Sequence, residues 1–98
     1  MAAEQGIAEG QVGIANLYSL GQGVPKDDHE AVKWYRMAAD QGVRQAQYNL
    51  GLHYFRGMGV PRDIREAVRW WRLAAAQRHS GAQHEIKRFE GFRRNVCQ

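Results

Sequence analysis

Apolar residues along this chain fall into short stripes separated by turn residues. Ala31, Tyr35, Ala38 and Ala39 repeat at spacings of three and four, with Val32 and Trp34 at the margins of the same face. That period is the signature of an amphipathic α-helix with one buried side. The stripe returns as Ala67, Trp71, Ala74 and Ala75, flanked by Val68 and Trp70. A second kind of stripe carries small residues beside large ones: Ala46, Leu50, Gly51 and Tyr54, preceded by Gly10, Ile14, Ala15 and Tyr18. Small residues let two helix backbones approach closely while rings fill the space on either side. A glycine inside a helix costs about 1 kcal/mol relative to alanine, so Gly51 predicts a close packing contact that offsets the loss.

Boundary residues fit the same reading. Asp27 and Asp63 stand just before the alanine-rich stripes, each followed three residues later by Glu30 or Glu66. This spacing predicts an N-cap with a capping box, in which the glutamate reaches back to the cap's own N–H. Gly21 and Gly57 are placed to end the preceding helices, and Gly23 and Gly59, each followed by Val-Pro, complete a tight turn. Two helix types therefore alternate as antiparallel hairpins.

The hairpins are copies. Gly23, Val24, Pro25, Asp27, Glu30, Ala31, Val32, Trp34, Arg36, Ala38, Ala39 and Gln41 all recur 36 residues later, from Gly59 to Gln77. A fixed period of this size points to a repeat architecture, in which each unit buries its apolar face only against its neighbours. The predicted fold is all-α, an α-solenoid of antiparallel helical hairpins forming a single domain over residues 1–98. Residues 1–6 read as the end of a truncated repeat, 7–42 and 43–78 as full repeats, and 79–98 as a partial repeat. In that last unit Arg78, Lys87 and Glu90 replace Gly42, Gly51 and Tyr54, which spoils a surface for further stacking. Ser80 to Gln83 has the form of a capping box, and Ala82, Ile86 and Phe89 make an apolar stripe. Residues 80–95 thus read as a polar-faced capping helix. Fewer than three complete repeats is marginal for stability, so the pattern predicts a longer natural chain or, failing that, self-association through an uncapped N-terminal end.

The unit "GVPxDxxEAVxWYRxAAxQG", preceded by "AxxxLGxxYxxG", resembles the Sel-one-like repeat family, relatives of the tetratricopeptide repeats with a slightly longer unit. The resemblance covers nearly the whole chain. It implies an α-solenoid that serves as a scaffold or adaptor for other proteins and has no catalytic activity. Hydrolase activity has been attributed to cysteine-rich relatives, but their paired cysteines are missing here: Cys97 is the single cysteine.

Composition adds limits. One cysteine excludes an internal disulfide and argues against a thiolate zinc site. His29, His53, His79 and His84 lack ligand spacing on a common helix face, so no metal and no cofactor is expected. No Gly-rich loop has a phosphate-binding pattern, and a nucleophile at Cys97 would lack an orienting base. No apolar run approaches the roughly 20 residues of a membrane span. The N-terminus shows no secretory signal pattern, which with the single cysteine favours a cytoplasmic setting and leaves a periplasmic or secreted one to a longer chain. The net charge of +4 is uneven: residues 1–51 carry four basic against six acidic groups, residues 52–98 ten against four.

Two surfaces emerge as candidates. First helices in such stacks line the concave side, which would place Val12, Asn16, Tyr48, Leu52, His53 and Phe55 in contact with a protein or peptide partner, with Arg56 beside His53 at the rim. The competing reading of Tyr48, Leu52 and Phe55 is burial against neighbouring repeats. On the second helices, Lys26, His29, Lys33 and Arg36 form one basic row, and Arg62, Arg65, Arg69 and Arg72 the next. Joined by Lys87, Arg88, Arg93 and Arg94, they offer the alternative function of binding nucleic acid or another polyanion. Their competing reading is a solvated face, partly paired to Glu66 or Asp63.

Overall fold

The computed structural model describes the backbone of residues 2–97 and the side-chain surroundings of residues 7–89. Five helices are present and no strand occurs among the described residues: α1 (Ala2–Leu20), α2 (Asp28–Asp40), α3 (Arg44–Arg56), α4 (Ile64–Ala76) and α5 (Ser80–Cys97). They form an α-solenoid, a slab of 47 × 31 × 17 Å in which each helix packs chiefly on the next. Helices α2 and α4 begin and end one period apart, as do the starts of α3 and α5.

The caps explain the starts. Asp27 and Asp63 sit in extended backbone, and each side chain accepts a hydrogen bond at 3.2 Å from the N–H of Glu30 or Glu66. The return half of the expected capping box is not formed. Each aspartate's own N–H instead donates to the carbonyl of Tyr18 or Tyr54, at 3.0 and 2.9 Å. The connecting loop folds back onto the preceding helix end, where carbonyls lack intrahelical donors. Glu66 is left to pair with Arg69.

The α5 start also departs from expectation. His79, not Ser80, caps it: the Nδ1 lone pair of His79 accepts the Ala82 N–H at 3.1 Å. The turn before α5 matches the one before α3 despite the change of residue. Gly42 adopts φ +88°, and Arg78 is driven into the same left-handed region at φ 65°. His79 N–H still reaches the Ala74 carbonyl, as Val43 N–H reaches that of Ala38. Residues 2–6, expected to end a preceding helix, run on into α1 without this turn. Elsewhere the turn is clamped from the following repeat, where Gln77 donates to the Gly42 carbonyl at 2.8 Å. One period earlier, Gln41 gives its amide to Gln11 and the Met37 carbonyl.

Two cores lie end to end. The first joins Ala15, Ala31, Val32, Tyr35, Ala38, Ala39, Ala46, Leu50 and Trp70, and the second Ala67, Val68, Trp71, Ala74 and Ala82. The repeated alanines, half-buried Ala75 apart, are fully buried and bring the helices together, and the rings fill the remaining space. Ala15 and Tyr35 share the first core, and one period on Gly51 meets Trp71: a Cβ added at Gly51 would lie 2.4 Å from the indole Nε1. Helix α5 closes the second core with Ala82, Ile86 and Phe89 while Gln83, His84, Lys87 and Arg88 face outward. A glutamine ladder stitches the hairpin ends, with Gln41 to Gln11 at 2.9 Å and Gln77 to Gln47 at 3.0 Å. Gln47 and Gln83 reach the Ala39 and Ala75 carbonyls in the same register.

Candidate functional site

The face built by α1, α3 and α5 divides the expected contact residues. Val12 packs half-buried against the first core. Asn16 accepts the Tyr35 hydroxyl, and Ser19 and Asn49 also hydrogen-bond to it. Burial raises the Tyr35 pKa above its ordinary value, with the Ser19 and Asn49 hydrogen bonds opposing the shift. This region is thus a small polar network contributed by α1, α2 and α3.

One period on, the same place is apolar. Tyr48 and Leu52 are half-buried and pack into the second core beside Ile86 and Phe89 of α5. The Tyr48 ring stacks on His79 with centroids 4.5 Å apart. Phe55 keeps 36% of its surface exposed, with its ring 5.6 Å from that of Trp71 and the Arg62 guanidinium 5.7 Å from its centroid. Trp71 itself donates its indole N–H to the Tyr48 carbonyl at 3.2 Å, an approach that the missing side chain at Gly51 permits.

His53 is a correction. It is only 3% exposed, its ring lies 5.4 Å from that of Tyr35, and its Nδ1–H donates to the Met58 carbonyl at 3.0 Å. It points into the core three residues after Leu50, on the face that packs against α2, and offers almost nothing to a partner. Its register partners give no consistent signal for this, since Phe89 one period later is half-buried but Leu17 one period earlier is 42% exposed.

The basic residues separate likewise. Lys33 is exposed, but Arg36 is half-buried, donates to the Tyr54 hydroxyl and lies over that ring at 5.6 Å. It closes the α2–α3 junction and leaves the expected ridge. Arg62 sits beside Phe55, at the end of α3. Arg65, Arg69 and Arg72 line an open groove of about 760 Å³ between α4 and α5, together with Val68, Leu73 and Phe89. Arg69 pairs with Glu66 at 3.3 Å. Leu73 was not singled out by the sequence reading, although it lies among the arginines on the outer face of α4. Arg93, Arg94, Glu90 and Cys97 have side chains outside the described residues. Among the described residues, no three His, Cys, Asp or Glu side chains cluster as a metal site would require, and no helix is long and apolar enough to cross a membrane.

Comparison with known proteins agrees with this geometry. Residues 8–43 and 44–79 each match the Sel1 repeat. The crystal structure of a Sel1 repeat protein from Oxalobacter formigenes is similar at a TM-score of 0.80 and 43% identity, over 81% of this chain and 32% of its own. That of c5321, a protective antigen present in uropathogenic Escherichia coli strains displaying an SLR fold, gives 0.84 and 44%, over 92% of this chain and 20% of its own. Cysteine rich protein B of Helicobacter pylori, at 23% identity and a TM-score of 0.75 over 79% of this chain and 58% of its own, shares the fold. The chain therefore spans between a fifth and three fifths of the length of these relatives. A search of curated proteins finds no match. With two matched repeats and relatives above 40% identity, the chain belongs to the Sel1 repeat family, whose members are generally non-catalytic scaffolds for protein–protein interaction.

Proposed function

We propose that this chain is a non-catalytic scaffold segment that binds a partner protein on the face built by α1, α3 and α5. The observation that carries the reading is where the repeats differ. Alanine and aspartate positions that recur in register form the cores and caps. The first-helix face changes instead, from Val12, Asn16 and Ser19 on α1 to Tyr48, Leu52 and Phe55 on α3. One end presents the Asn16, Ser19 and Asn49 amides and hydroxyl around Tyr35, and the other presents the exposed part of Phe55 beside Trp71. A partner segment crossing both finds hydrogen-bonding groups and then an aromatic anchor, the mixture that specific protein interfaces use.

Phe55→Ala tests it. Affinity capture from the native cell, run beside Lys33→Ala on the opposite side and with helicity checked by circular dichroism, is expected to recover the partner through the Lys33 variant and to lose most of it through the Phe55 variant. Equal recovery by the two helical variants would refute this face as the interface.

A further inference from the structure

We infer that His79 is a proton-operated latch between α3 and α5: the neutral ring holds the first turn of α5 against α3, and the protonated ring lets it go. The ring bridges the two helices. Its Nδ1 lone pair accepts the Ala82 N–H at 3.1 Å, and its Nε2–H donates to Gln45 Oε1 at 2.9 Å. Gln45 is fixed in that orientation, because its own amide N–H donates to Asn49 Oδ1 at 3.2 Å. The flat of the ring stacks on Tyr48, with 24° between the planes. Gly81 leaves the room for this: a Cβ there would lie 3.1 Å from both His79 Cε1 and Tyr48 Cζ.

The repeat shows that stacking hairpins does not require this arrangement. One period before His79, Gln45, Tyr48 and Gly81 stand Val43, Glu9, Val12 and Gln45. Helix α3 starts without a side-chain cap at Val43, yet the turn repeats, and Ala46 is buried there as Ala82 is at α5. Four residues differ together at one junction, and the later set is the one that holds a neutral histidine. All of them lie between residues 45 and 82, in the body of the stack.

Protonation acts on one side of the ring. An added Nδ1–H would face the Ala82 N–H, donor against donor, and the cap of an otherwise orphaned helix amide is lost. The bond from Nε2–H to Gln45 persists, and a cationic ring can still lie on tyrosine. The ring therefore stays on α3 while the start of α5 is released. Arg44 and Tyr48 face it from α3, Arg78 adjoins it at the end of α4, and the nearest ionisable residues along α5 are His84 and Glu85. Burial, and then the cation of Arg44, lower its pKa, so the latch is closed at neutral pH and opens on acidification. Tyr48 and Leu52 pack beside Ile86 and Phe89 of α5, and Asn49 continues to Tyr35 and Asn16. The junction thus adjoins the proposed partner face, and its use in recognition rests on that reading.

Hydrogen exchange followed by NMR on the full 98-residue chain tests the latch. No partner is present, so the outcome is independent of whether that face binds one. The Ala82 amide reports the cap directly. Its protection factor, which removes the intrinsic pH dependence of exchange, is expected to fall roughly fivefold or more between about pH 8 and pH 5, with the amides of α2 unchanged. His79→Asn keeps a capping oxygen that does not titrate, so its Ala82 protection should stay flat over the same range. Gln45→Glu sets a carboxylate against Nε2–H, favours the imidazolium and should raise the midpoint of opening by about one pH unit. A merely structural role for His79 would not move that midpoint. Circular dichroism should show both variants helical at neutral pH. The inference is overturned if Ala82 protection in the parent chain is flat with pH, if it falls equally in His79→Asn, or if Gln45→Glu leaves the midpoint where it was.

Discussion

Gly51→Ala is a substitution on which helix propensity and packing give opposite signs. In an exposed helix, replacing glycine by alanine stabilises by about 1 kcal/mol. At Gly51 the new Cβ would stand 2.4 Å from Trp71 Nε1, 2.5 Å from its Cδ1 and 3.1 Å from the Ala67 carbonyl. Trp71 is 1% exposed and cannot swing into solvent. Overpacking of this kind costs about 1–3 kcal/mol, and displacing the indole removes its hydrogen bond to the Tyr48 carbonyl, worth about 1 kcal/mol. Subtracting the propensity gain leaves a net loss of about 2 kcal/mol, which for a domain of this size lowers Tm by roughly 10 °C.

The repeat supplies its own control. Ala15 and Tyr35 occupy the positions of Gly51 and Trp71 one period earlier, so the small and large partners have exchanged volume. Gly51→Ala with Trp71→Phe should therefore recover much of the loss. Phenylalanine is the better test than tyrosine, because Leu52 stands where Asn16 accepts the Tyr35 hydroxyl. Urea unfolding followed by circular dichroism across the double-mutant cycle is expected to give a coupling of about 1 kcal/mol or more. Gly10→Ala, where the new Cβ meets nothing within 4 Å, should be stabilising. If Gly51→Ala stabilises as Gly10→Ala does, nesting of Trp71 against the α3 backbone is not what holds the second hairpin together.

Three further outcomes follow from the turns and caps. Arg78→Gly should raise stability by about 1 kcal/mol in urea unfolding, because it relieves a side chain held at φ 65°. Gly59→Ala should cost more than Gly23→Ala in the same assay: both sit at positive φ, but only at Gly59 would the new Cβ strike the Asp28 carbonyl, at 2.3 Å. His79 makes the α5 junction acid-sensitive. Burial, and then the charge of Arg44, hold its pKa below the ordinary value, and the neutral ring is the one that accepts the Ala82 N–H and donates Nε2–H to Gln45. A depressed histidine pKa means the unfolded chain binds more protons, so this contribution is complete above about pH 6.5 and is lost as pH falls through the folded-state value. The urea midpoint measured against pH should decline in that window, and His79→Asn, which keeps a capping oxygen, should flatten the decline.

Most of the fold was legible because a solenoid writes each core contact more than once. Ala31 with Ala67, and Asp27 with Asp63, carry the same local instruction at the same offset, and the period alone aligns the helices that must pack. What the sequence did not reveal are contacts whose partner comes from a loop or a neighbouring repeat. The Asp27 and Asp63 N–H groups go to Tyr18 and Tyr54, His79 takes over a cap that the Ser80 pattern had claimed, and Gln77 clamps Gly42 across 35 residues. None of these has a local signature, since hydrogen-bonding residues at turns have several partners within reach and only the packed helices decide among them.

The same reasoning locates the positions that are free to serve recognition. A residue that recurs in register is bound to the lattice of hairpins, and changing it disturbs every neighbour. His53 marks a limit of the rule: of its apolar register partners Phe89 is half-buried and Leu17 exposed, and the contact with Tyr35 is what buries it. Asn16 against Leu52, Ser19 against Phe55 and Met37 against Leu73 differ between copies while the backbone around them repeats. At these positions side-chain chemistry can change without changing the stack, so one rigid scaffold can carry a polar network, an aromatic anchor and an arginine-lined groove on successive units.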